Sequence, residues 1–103
     1  MPILDTELKK APESYREDIR KATALLKNEG CAAVFLFGSM VTGNVHKNSD
    51  IDIGIKGLQS KKFFRVYAEL DRALSHQVDL VDFDDSGEFY ELLDSLGEVV
   101  KIG

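Results

Sequence analysis

Residues 31–56 read CAAVFLFGSMVTGNVHKNSDIDIGIK, and the fold turns on how that stretch divides. Cys31 to Phe37 is one unbroken apolar run between Gly30 and Gly38. It is too short for a typical helix, so it predicts a strand buried on both faces. Polar turn chemistry takes over from Ser39 to Ser49. Asp50 to Lys56 then alternates strictly, with Ile51, Ile53 and Ile55 on one side and Asp50, Asp52 and Gly54 on the other. That pattern predicts a second strand with one polar face.

Working outward, Tyr15, Ile19, Ala22, Leu25 and Leu26 recur at helical spacing between Pro12 and Glu29. They predict an amphipathic helix, begun by a Ser14–Glu17 capping box or by Pro12 in the first turn, and closed by Gly30. Downstream, Ser60 is placed to cap a helix with the stripe Phe63, Phe64, Tyr67, Leu70, Ala73 and Leu74. Gln77 to Phe83 reads as a third strand. Asp85 with Glu88 can start a last helix through Phe89, Leu92, Leu93 and Leu96, broken at Gly97, after which Glu98 to Ile102 can extend. The expected class is α/β, more narrowly α+β: a small mixed sheet flanked by helices, in a single domain over residues 1–103.

With 103 residues and 44% hydrophobic composition the chain has enough apolar matter for one modest core. A partner, another protein or a second copy, then has surface to cover. The formal charge of −5 argues against an extended nucleic-acid surface, since phosphates would be repelled. Cys31 is the single cysteine, which excludes an internal disulfide and a multi-cysteine zinc site. No apolar run reaches bilayer-spanning length and the start lacks a signal-peptide core, so a soluble cytoplasmic protein is expected.

The chemistry concentrates where polar residues interrupt the strands. Asp50 and Asp52, two apart on a strand, leave the same face and repel unless a divalent cation lies between them. Hard oxygen ligands suit Mg²⁺ or Mn²⁺ better than zinc. An isolated Asp-x-Asp pair is more often a solvated sheet edge, but Asp is poorly suited to strands and the flanking turn adds weight. Gly38-Ser39 directly follows a buried strand, and the segment to Gly43 can open a short helix whose amides attract phosphate.

Gly38-Ser-Met-Val-Thr-Gly43, five further residues, then Ser49-Asp50-Ile51-Asp52 resembles the signature of the DNA polymerase beta superfamily of nucleotidyltransferases. The likeness is greatest to the minimal nucleotidyltransferase (MNT) domains, often encoded beside a HEPN-domain partner, and it runs over almost the whole chain. It implies a polymerase-beta-like fold. It also implies a third carboxylate from a Val-Asp-Leu-Val segment, here Val78-Asp79-Leu80-Val81. By this resemblance Asp50, Asp52 and Asp79 are catalytic and bind two Mg²⁺ ions, with Mn²⁺ as a substitute. Gly38, Ser39, Gly43, Lys47 and Ser49 contact a nucleoside triphosphate, ATP being expected. Thr42 stands where relatives often carry arginine, leaving His46 and Lys47 as the basic residues of that loop.

The resemblance further implies transfer of a nucleoside monophosphate to an acceptor hydroxyl on a HEPN toxin, an antitoxin role. The alternative is a nucleotide-binding antitoxin that neutralises its partner by occlusion without turnover. Other polar residues have blander readings: Lys56, Lys61 and Lys62 as surface charges, Tyr67 and Tyr90 as core packing, His76 as a helix cap, and Asp82, Asp84 and Asp85 as solvated or capping groups.

Overall fold

Why Cys31 to Phe37 is apolar throughout becomes plain once its neighbours are known. In the computed structural model, which describes residues 11–45 and 48–103, the central strand β1 (Ala33–Phe37) has layers on both sides. Val34 and Leu36 join the larger core. Phe35 and Phe37 point the opposite way into an aromatic one.

The larger core is covered by α1 (Glu13–Asn28), which buries Tyr15, Ile19, Ala22 and Leu26. Pro12 occupies the N-cap and no side chain caps the helix, so the Ser14–Glu17 capping box does not form. Gly30 follows with φ of 108°, as expected for the end of this helix. After β1, Gly38 caps a four-residue helix, α2 (Ser39–Thr42), and Gly43 ends it in the left-handed region.

Strand β2 (Ile51–Lys56) runs antiparallel to β1, with Ile51, Ile53 and Ile55 fully buried under the helices. Full burial of such side chains contributes roughly 1.5–3 kcal/mol each. Its other face carries Asp52 at one end and Lys56 at the other, with Gly54 between them. Gly54 sits against Phe83, and a Cβ there would lie 2.0 Å from Phe83 Cε2. The glycine in an alternating strand is thus a packing requirement of the aromatic core.

Ser60 begins a 3-10 turn (Ser60–Lys62) rather than capping, and α3 (Phe63–Ala73) follows. Its buried residues are Val66 and Leu70, with Leu74 beyond its end, whereas Phe64 is 82% exposed and Ala73 is also exposed. Of the expected stripe, Leu70 and Leu74 are buried and Phe63 and Tyr67 pack against the core, whereas Phe64 and Ala73 face outward and Val66 is buried instead. The crossover through α3 brings β3 (Val78–Asp82) parallel to β2.

Finally α4 (Gly87–Ser95) has Ser86 at its N-cap, without the Asp85–Glu88 cap. It buries Leu93 and leaves Leu92 and Leu96 exposed. Gly97 turns the chain into β4 (Val99–Lys101), antiparallel to β1. The sheet order is β3-β2-β1-β4, a mixed sheet with α1 and α3 on one face and α4 on the other. The α+β expectation holds.

Candidate active site

Strand register decides which acids meet. Asp52 lies directly beside Asp79 in the parallel β2–β3 pair and opposite Phe37 in the antiparallel β1–β2 pair. Neighbours in register point to the same side of a sheet, so the two carboxylates share a face. Asp50 stands one residue ahead of β2, exposed, on the same parity as Asp52.

Asp52 is the half-buried member, and its pKa is pushed up to about 6. Burial is the main cause, followed by the negative charge of Asp79 and then that of Asp50. Asp79 and Asp50 therefore both lie within electrostatic reach of Asp52. Among the described residues no three acidic, His or Cys groups already close around one point. Asp50 and Asp79 are exposed. The donor set is all carboxylate oxygen and carries mutual repulsion, which a hard divalent cation removes. The residues present fit Mg²⁺ or Mn²⁺.

The glycine-serine turn abuts this pair. Gly38 has φ 74° and ψ −146°, a conformation that L side chains rarely adopt. A Cβ on it would meet Asp52 Oδ2 at 2.1 Å. The Asp52 carboxylate thus lies over the bare Cα of Gly38, joining the turn to the acid pair. Ser39, half-buried, opens α2, whose first N–H groups have no acceptor within the helix. Gly43 closes it with φ 87°, and Thr42 is exposed, accepting a 3.4 Å hydrogen bond from the Asn44 amide. Ser49 is buried, and its carbonyl accepts the Tyr15 hydroxyl at 2.8 Å. His46 and Lys47 lie outside the described residues.

Residues 17–100 match the sequence family described as polymerase beta, nucleotidyltransferase. The chain belongs to that family. Among solved structures it is similar to a toxin–antitoxin crystallised with AMP-PNP, at 29% identity and TM-score 0.61, over 82% of this chain and 69% of that one. A mutant of the toxin–antitoxin MntA–HpeT is 31% identical with TM-score 0.53, over 63% of this chain and 56% of that one. A protein assigned to the minimal nucleotidyltransferases is 23% identical, with TM-score 0.68 over 85% and 92% of the two chains, and it speaks for the fold alone. No curated protein matches. Membership in the polymerase beta family and the arrangement of Asp52, Asp79 and Gly38 support nucleotidyl transfer. Among the described residues no helix is long and apolar enough to cross a membrane.

Several polar residues make contacts beyond those expected from the sequence. Tyr67 packs against the core as expected, and its hydroxyl donates to the Val78 carbonyl at 3.2 Å and lies 3.4 Å from Asp79 Oδ1. His76 does not cap a helix: its Nδ1 donates to Asp18 Oδ2 at 2.8 Å and its ring stacks on Tyr15. The available signal was Asp18 itself, an acid on the apolar face of α1, three residues after Tyr15. Lys56 is no bare surface charge, since its ammonium stands 3.8 Å over the Tyr90 ring. Asp82 and Asp84 serve turns, accepting the N–H groups of Asp84 and Gly57.

Proposed function

We propose that this protein transfers AMP from ATP, with Mg²⁺, to a hydroxyl on a HEPN-domain protein and so acts as its antitoxin. The observation that carries the reading is the side-by-side placement of Asp52 and Asp79, with the Asp52 carboxylate seated over Gly38. The resemblance to MNT domains and the similarity to a toxin–antitoxin crystallised with AMP-PNP support the choice of nucleotide and partner.

Asp50 and Asp52 would hold two cations, and Asp79 would complete the set on the acceptor side. Bound Mg²⁺ supplies charge neutralisation on the triphosphate and acidifies the acceptor hydroxyl. The rest falls to the chain. Gly38 lets backbone approach the phosphates, and the Ser39 hydroxyl and the first amides of α2 donate to their oxygens. Asp79, exposed at the sheet edge, takes the proton as the acceptor oxygen bonds to the α-phosphorus and the bond to the bridging oxygen breaks, releasing pyrophosphate.

The test is incubation of this chain, and the protein that co-purifies with it from its host, with Mg²⁺ and ATP labelled at the α-phosphate. The expected result is label on the partner and a mass gain of one AMP. A partner that is neutralised with no added mass and no pyrophosphate released would overturn transfer and leave occlusion in its place.

A further inference from the structure

The two acid-bearing strands are held at their beginnings by one turn of α1. Tyr15 and Asp18, three residues apart, share a face of that helix, and they are 3% and 1% exposed. The Tyr15 hydroxyl donates to the Ser49 carbonyl at 2.8 Å, immediately before Asp50. Asp18 Oδ2 accepts both the backbone N–H and Nδ1 of His76 at 2.8 Å each, three residues before Asp79. The Tyr15 and His76 rings close the arrangement, stacked with centroids 3.7 Å apart at 20°. The lead-ins are also tied to each other, Ile51 N–H donating to the Gln77 carbonyl at 2.9 Å.

A buried carboxylate is an expensive way to attach a loop to a helix when apolar packing would serve. What it supplies is direction: two hydrogen bonds and a stacked ring fix where His76 stands relative to Ser49. Because β3 is an edge strand, only β2 holds it on the sheet side. The lead-in at His76 adds a second constraint, beside the β2–β3 ladder, on where Asp79 stands relative to Asp50.

We infer that Tyr15 and Asp18 are positioning residues for the acid site: through Ser49 and His76 they fix the separation of Asp50 from Asp79. The inference rests on the reading that these acids bind divalent cations. Reactive groups displaced by about 1 Å can lose on the order of 100-fold in rate, so a tether of this kind matters even far from the reacting atoms.

The decisive variant is Tyr15→Phe, which removes one hydroxyl and keeps the ring on His76. Mn²⁺ binding by titration calorimetry and AMP transfer to the co-purifying partner are measured for wild type, Tyr15→Phe and Asp50→Asn. The expected pattern is Mn²⁺ affinity and kcat both about 10-fold lower in Tyr15→Phe, with KM for ATP unchanged and Asp50→Asn binding far more weakly. A purely structural role would lower the melting temperature and leave the Mn²⁺ isotherm unmoved, and that result overturns the inference while the acid-site reading stands. A wild-type protein that takes up no Mn²⁺, or an Asp50→Asn that binds it equally well, removes the acid-site reading and the inference with it. Asp18→Asn, which keeps one oxygen for the His76 N–H, should restore part of the affinity lost in Asp18→Ala; equal losses count against positioning.

Discussion

Replacing Gly38 by alanine separates the two things that glycine does. The added Cβ would stand 2.1 Å from Asp52 Oδ2, and ordinary contact begins at 3.4 Å. The carboxylate must therefore retreat by about 1.3 Å, and a displacement near 1 Å in a reacting assembly lowers the rate on the order of 100-fold. The backbone adds its own cost. At φ 74° and ψ −146°, an L side chain is strained by about 1–3 kcal/mol. Each kcal/mol lowers the melting temperature of a domain near this size by about 4–8 °C. Gly97→Ala is the control, for Gly97 also has positive φ, 69°, but nothing within 4 Å of its missing Cβ. Both variants should melt earlier, as read by calorimetry. Only Gly38→Ala should lose transfer of labelled AMP, assayed well below either melting point. Full transfer by Gly38→Ala would refute the reasoning, because the carboxylate of Asp52 would then be either elsewhere or idle.

Asp52→Asn should abolish transfer yet raise the melting temperature of the metal-free protein at pH 8. With its folded pKa raised to about 6 from 3.8, Asp52 costs the fold at most about 3 kcal/mol as pH climbs through that window, less whatever solvent screens. A melting temperature below wild type would count against it. Mg²⁺ should stabilise wild type and not this variant in the same melts, equal shifts arguing that the cation binds somewhere else. Gly54→Ala should lower stability by about 1–3 kcal/mol through overpacking against the buried Phe83 ring, with unaltered urea midpoints the contrary result. Burial raises the Asp18 pKa, but hydrogen bonds from Ser75 and His76 outweigh it and hold the carboxyl below 3.8. Its contribution is therefore present above that pH and lost as pH falls further. The stability lead of wild type over Asp18→Asn should shrink between pH 5 and pH 2 in circular dichroism melts, and a constant lead would contradict this.

What could be read from the chain was local periodicity. The run through Phe37 and the alternation from Ile51 to Ile55 gave two strands and their buried faces, because burial on two sides or one leaves a pattern of period 1 or 2. Gly38 and Gly43 marked the short helix between them. Helix faces are less legible: a stripe through Phe64 misses Val66, and of the apolar residues along the last helix Leu92 and Leu96 stay exposed. In both helices apolar residues outnumber the positions the sheet can cover, so composition overstates the stripe. The expected caps at Ser14, Ser60 and Asp85 do not form: Pro12 is the N-cap of α1, Ser60 lies inside a 3-10 turn, and Ser86 is the N-cap of α4. The pairing of Asp52 with Asp79 depends on strand register, which no local pattern encodes. Only the resemblance pointed to Asp79. The knot of Tyr15, Asp18 and His76 joins residues 58 or more apart and had only a misplaced aspartate to announce it.

One face of the sheet carries two incompatible environments along a few residues. At Gly54 it is packed so tightly by Phe83 that a methyl group does not fit, and two residues earlier it presents Asp52 beside Asp79. The aromatic end stabilises the fold in the ordinary way. The acidic end opposes it, since burial and like charge both penalise ionised Asp52. A chain selected for stability alone would extend the aromatic core by those two residues, and β-branched or aromatic side chains are the natural occupants of such positions. That it keeps two carboxylates there, one of them over a glycine in a conformation L side chains rarely adopt, argues against a passive edge. On the proposed function the repulsion would become useful once a cation joins the set, and affinity for metal would then be drawn from the instability of the acid pair. On that reading the two-residue boundary between Gly54 and Asp52 is where this domain would exchange stability for chemistry.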